Sequence, residues 1–171
     1  GTFCPVGSAI ATPCAAGTVN SEVRQESCKP CGAGTYQSER GKTRCNVCGA
    51  GNYSANILSC EPCHLGEYCV AGTTVGQRCP PRHSTTAGRG APSEDACICQ
   101  ASFYMLGDAV GAKQCANCPT AGVNCSAPGV GAMDIPITPG HWRTFVRNKM
   151  VVVRRCLTRD ACVGGRHAHD L

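Results

Sequence analysis

The sequence predicts a small disulfide-rich protein: tandem short β-hairpin cysteine-rich repeats forming an elongated rod, few or no helices, and a C-terminal β-hairpin cap. Three observations predict it. Seventeen of the 171 residues are cysteine. Leu, Ile, Val and Phe together make 27 residues, too few apolar side chains to offset the chain entropy of one large domain. The cysteines also recur in a fixed frame. Small extracellular modules that cannot build a sufficient core use disulfides in its place, and 21 glycines with 11 prolines supply turns rather than long elements.

The frame is read first between Cys14 and Cys63. Cys14-Ala-Ala-Gly17-Thr18 runs to Cys28-Lys-Pro-Cys31, Cys31-Gly-Ala-Gly34-Thr35-Tyr36 to Cys45-Asn-Val-Cys48, and Cys48-Gly-Ala-Gly51-Asn52-Tyr53 to Cys60-Glu-Pro-Cys63. Each unit is Cys-x-x-Gly, an aromatic two positions on in most, a polar loop, then Cys-x-x-Cys, whose second cysteine opens the next unit. A longer period lies over this one. Gly1, Phe3, Cys4, Gly7, Ser8 and Cys14 match Gly66, Tyr68, Cys69, Gly72, Thr73 and Cys79, each pair offset by 65 residues. The second copy continues through Cys97-Ile-Cys99 and Cys115-Ala-Asn-Cys118 to Cys125 with longer loops. These periods divide the chain into a first set of repeats (1–69), a looser second set (70–125), a Pro/Gly linker (126–140) and a basic hairpin segment (141–171).

The period suggests sequential bridges: Cys14–Cys28, Cys31–Cys45, Cys48–Cys60, Cys63–Cys69, Cys79–Cys97, Cys99–Cys115, Cys118–Cys125 and Cys156–Cys162. Crossed pairs within a module remain the alternative, because sequence does not fix connectivity. Cys4 is left over. Its counterpart Cys69 pairs with Cys63, so the partner of Cys4 is expected before Gly1, in a truncated repeat. Within a unit, the glycine after Cys-x-x is expected to take positive φ. The aromatic is expected to lie over the bridge and supply most of the apolar area. Closing a loop of this length stabilises a unit by about 3 kcal/mol in the chain-entropy view.

Cys31-Gly-Ala-Gly-Thr-Tyr-Gln, Cys45-Asn-Val-Cys48-Gly-Ala-Gly-Asn-Tyr-Ser and Cys60-Glu-Pro-Cys63 together resemble the ephrin-receptor-like (GCC2/GCC3) cysteine-rich repeat. The resemblance covers residues 1–125, is closest over 14–69, and departs where Cys97-x-Cys99 replaces Cys-x-x-Cys. The tail, Gly140-His-Trp142-Arg143, Val153-Arg-Arg-Cys156 and Ala161-Cys162-Val-Gly-Gly165, is similar to a segment that follows such repeats in large surface proteins of algae and oomycetes. Among those, mastigoneme-type flagellar glycoproteins carry repeats of this kind. The resemblance implies an extracellular or cell-surface location, on a flagellum in the mastigoneme case. Fold likeness alone does not establish function.

Zinc is the competing reading of the cysteines. Cys28-x2-Cys31-x13-Cys45-x2-Cys48 has nearly the spacing of a four-cysteine zinc ribbon. The overlap of the units argues against it, since each Cys-x-x-Cys would have to serve two sites. A thioredoxin-like redox role lacks its strand-to-helix context. No metal and no cofactor is therefore expected.

Two sequons stand out as glycosylation sites, Asn52-Tyr-Ser54 and Asn124-Cys-Ser126, with Asn52, on what reads as an exposed turn, the better acceptor. The conventional apolar pattern is confined to residues 133–155. Trp142, Phe145 and Val146 precede a turn-like Arg147-Asn148-Lys149, and Met150 to Val153 is strand-like. A β-hairpin that packs on the last cysteine-rich unit follows. Trp142 is its expected core, with a contact role as the sharper alternative. Downstream of residue 140, Arg143, Arg147, Lys149, Arg154, Arg155, Arg159 and Arg166 face only Asp160 and Asp170, and this cluster accounts for most of the net charge of +5. Trp142, Arg143, Arg147, Arg154 and Arg155 are the candidate interaction residues, with acidic glycans as one partner class and a solvated basic face as the plain reading. No nucleic-acid motif accompanies the basic residues.

Catalysis finds no pattern. No nucleophile–base set or carboxylate pair stands out, and His64, His83 and His141 have no nucleophile nearby in sequence. No apolar run approaches the roughly 20 residues of a membrane helix. The chain opens at Gly1-Thr2-Phe3-Cys4, already inside a cysteine motif, which reads as a mature protein or a piece of a longer one. The expected function is an extracellular structural or assembly module whose partners are other copies or segments of the same surface protein. The alternative is the ligand-binding ectodomain of a receptor or channel-associated protein.

Overall fold

A computed structural model of the protein describes residues 1–80, 82–106, 113–146, 150–158 and 162–165. Among them every sheet is a two-stranded antiparallel hairpin. Among the described residues the one helical turn is a 3-10 turn at Glu94–Ala96. The chain divides into two compact units, Gly1–Arg78 with Gly88–Ala96 and Cys79–Ala87 with Cys97–Leu171. Eight disulfides join the cysteines in sequential order, and they fall four to each unit.

The first unit holds five hairpins with two-residue strands. They are β1 (Thr2–Phe3) with β2 (Thr12–Pro13), β3 (Thr18–Val19) with β4 (Lys29–Pro30), and β5 (Thr35–Tyr36) with β6 (Asn46–Val47). β7 (Asn52–Tyr53) with β8 (Glu61–Pro62) and β9 (Glu67–Tyr68) with β10 (Gln77–Arg78) complete the series. Pairs this short do not hold themselves. The bridges Cys14–Cys28, Cys31–Cys45, Cys48–Cys60 and Cys63–Cys69 tie them. A second tie is a regular backbone bond from each repeat to the loop of the next. The N–H groups of Cys4, Asn20, Gln37, Ser54 and Cys69 donate to the carbonyls of Gln25, Lys42, Ile57, Thr73 and Ala91, at 2.9–3.2 Å.

Gly17, Gly34, Gly51 and Gly66 all have φ between 76° and 85°. At Gly34 the requirement is also steric, because a Cβ would run into the carbonyl of Gly72. Threonine follows glycine twice, and the hydroxyls of Thr18 and Thr35 donate back to Ala15 and Gly32 at 2.8 and 2.7 Å, closing the turn.

The expected role of the aromatic is corrected. Tyr36, Tyr53 and Tyr68 are only half-buried, whereas Cys14, Cys48, Cys63 and Cys69 are wholly buried. Strands of two residues leave no layer thick enough to enclose a ring, so the half-cystines themselves are the core. The third residue after the turn glycine faces inward instead in two of the repeats. Asn20 and Gln37 are buried polar side chains.

The second unit contains β11 (Ser84–Thr86) with β12 (Cys97–Cys99), β13 (Phe103–Leu106) with β14 (Gln114–Asn117), and β15 (His141–Val146) with β16 (Met150–Arg155). It has a conventional core of Tyr104, Cys125, Ala132, Ile135 and Val151, with Leu106, Val123, Val130, Ile137 and Val153 packed around it. The stretch read as a Pro/Gly linker is therefore structural. Ile135 is wholly buried, Met105 bridges to Gly131, and Val123 bridges to Ile137. The hairpin β15–β16 joins this core through Val151 and Val153. Trp142 does not. It is 41% exposed, because the register places it on the opposite face of the ribbon.

Candidate interaction surfaces

Two surfaces are built by these elements, one per unit. On the first unit, large aliphatic side chains stand in solvent: Val6, Ile10, Val23, Val47, Leu65 and Val75 are all at least 60% exposed. Ile10 and Val75 occupy the same column of the 65-residue period. The hairpin interiors have no room for them, since the interior is taken by half-cystines and by the amides of Asn20 and Gln37.

Those amides were missed in the sequence. Asn20 Nδ2 donates to the Thr2 carbonyl at 2.7 Å, and its Oδ1 accepts the Glu22 N–H at 3.0 Å. Gln37 Nε2 donates to the Arg44 carbonyl at 2.9 Å, and its Oε1 accepts the Glu39 N–H at 3.1 Å. A signal was present. Asn20, Gln37 and Ser54 share a column with Cys4 and Cys69. Where Cys69 crosslinks that column to Cys63, the amides crosslink it to the loop by hydrogen bonds. Cys4, with neither, is an exposed free thiol.

On the second unit, the surface is the outer face of β15–β16. Trp142 stands opposite Arg154 and Thr144 opposite Val152. Arg154 and Arg155 are exposed. Arg143 has another role. It is half-buried on the inner face, where Nη1 donates to the Ile135 carbonyl at 2.9 Å and so braces the core. Arg147 lies outside the described residues, as do Arg159 and Arg166.

The two sequons differ in exposure. Asn52 lies in β7, half-buried and opposite Pro62, rather than on an exposed turn. Asn124 is exposed, and its Oδ1 accepts the Ser126 N–H at 3.0 Å.

The histidines have local roles. His64 Nδ1 lies 3.4 Å from Glu67, His83 stacks on Phe103 with ring centroids 4.1 Å apart, and His141 Nδ1 meets the Thr138 hydroxyl at 3.2 Å. Among the described residues, no group of three or more His, Cys, Asp or Glu side chains is placed to hold a metal ion. Among the same residues, no helix is long and apolar enough to cross a membrane.

Comparison with known proteins places the repeats in context. No curated protein matches the chain. Residues 17–59, which span hairpins β3–β4 and β5–β6 and strand β7, match the family model described as tyrosine-protein kinase ephrin type A/B receptor-like. Together with eight disulfides, the match points to an extracellular module of ephrin-receptor-like cysteine-rich repeats.

Proposed function

We propose that the chain is an extracellular assembly module of a larger surface or fibre-forming glycoprotein, and that its work is contact rather than catalysis. Neighbouring copies or segments meet through the faces of the first unit. The observation that carries this reading is the inversion of apolar residues there. Val6 and Val23 are 83% and 84% exposed while the interior is filled by cystine and amide. Apolar side chains standing out of a rigid frame lower the free energy only when another surface covers them, each fully covered valine by about 1.5 kcal/mol or more. The resemblance of the tail to algal and oomycete surface proteins supports a coat or fibre, with a mastigoneme-type flagellar fibre as its most specific form.

Sedimentation equilibrium over a wide concentration range tests it. Concentration-dependent assembly that is lost in Val23→Glu and Val75→Glu, with all bridges retained, is the expected result. A protein that stays monomeric at the highest concentrations overturns it.

A second reading has its own support. The exposed Trp142, paired across the ribbon with Arg154, favours a ligand-binding ectodomain, with the C-terminal hairpin as its contact.

A further inference from the structure

The second unit carries charge that the first lacks. By sequence, residues 79–87 and 97–171 hold nine Lys and Arg against four Asp and Glu, while the rest of the chain holds seven of each. The whole excess of +5 therefore belongs to the second unit.

Within that unit the ribbon β15–β16 has two unlike faces. Val151 and Val153 turn into the Tyr104–Ile135 core. Side chains alternate along a strand, so Trp142, Thr144, Val152 and Arg154 share the other face. The register sets the indole of Trp142 directly opposite Arg154, and side chains so placed are neighbours about 5 Å apart at Cβ. Among the described residues, neither Arg154 nor Arg155 has an acidic partner within ion-pair distance.

We propose that this outer face docks an acidic polysaccharide bearing uronate carboxylates. The indole is a flat apolar plate whose electron-rich face attracts the polarised C–H groups of a pyranose ring. The guanidinium beside it presents a planar fork that matches a carboxylate at two points. The two-stranded ribbon offers a plane rather than a pocket, which suits a repeating chain that lies across it. The excess positive charge of the unit draws a polyanion toward the unit and makes the approach sensitive to salt. The proposal deepens the ectodomain reading and is independent of assembly through the first unit.

The test is binding of polygalacturonate to the full chain, measured by calorimetry at several salt concentrations, with neutral dextran and poly-glutamate as comparison ligands. The expected result is binding of polygalacturonate, none of dextran, and at least tenfold weaker binding of poly-glutamate, which has the charge without the ring. Trp142→Ala is expected to weaken polygalacturonate at least tenfold at every salt concentration, and Trp142→Phe to restore most of it. Arg154→Gln is expected to weaken binding and flatten its salt dependence. No binding of polygalacturonate, equal binding of poly-glutamate or dextran, or an unaltered Trp142→Ala variant would overturn the proposal. Unreduced mass confirms eight bridges in each variant. Self-association is read in the same samples, so an unaltered chain that assembles but does not bind polygalacturonate counts against this face alone.

Discussion

Gly34 shows how one missing side chain sets the frame. Its φ is 76°, and a Cβ there would meet the backbone of Gly72, which cannot step aside as a flexible side chain does. Gly34→Ala is expected to destabilise the first unit by about 1–3 kcal/mol, read as a lower midpoint in denaturant unfolding with the bridges intact. Gln37→Leu is expected to cost a similar amount, about 1–3 kcal/mol, because the Arg44 carbonyl and the Glu39 N–H both lose their partner. In glycoprotein expressed through a eukaryotic secretory route, glycopeptide mapping is expected to find sugar on Asn124 and not on Asn52. The glycine and cysteine columns were legible because each residue type is tied to one job. The amides were not, since a polar residue between strand and loop reads as solvated until the neighbouring loop is placed against it. Sequence context read Asn52 as an exposed turn residue, whereas it is half-buried in β7 and Asn124 is exposed. A strand of two residues carries no periodicity by which Asn52 can be told from a turn residue.

At the scale of the element, the short hairpins followed from the repeat and the core of the second unit did not. Tyr104 lies in β13, its hydroxyl accepts the Val151 N–H at 3.2 Å across 47 residues, and both pack with Ile135. No local pattern joins three residues so far apart, and the stretch around Ile135 is rich in glycine and proline, which is why it read as a linker. Ile135→Ala is expected to destabilise the second unit by about 2–5 kcal/mol. Tyr104→Phe is expected to cost about 1–3 kcal/mol through the unpaired Val151 N–H. Hydrogen exchange at β15–β16 checks both, with faster exchange expected along the ribbon in each variant. The hairpin itself was visible in its β-branched run. The placement of Trp142 was not, because a single tryptophan among apolar neighbours fits either face of a ribbon until the register is known.

For the whole molecule, the two units differ in what holds them. Wholly buried side chains in the first are half-cystines, whereas the second adds Tyr104 and Ile135. Partial reduction followed by hydrogen exchange is expected to release the first unit before the second, because removing its bridges removes its interior. An order with the second unit opening first would contradict that division of roles. Sequentially bridged repeats, not metal sites or crossed pairs, make the fold. Peptide mapping of unreduced protein after thiol alkylation, with metal analysis of the same sample, tests it most directly. Eight bridges between successive cysteines from Cys14 to Cys162 are expected, with Cys4 alone outside them and no zinc. Crossed bridges, or many labelled thiols with zinc bound, would contradict it.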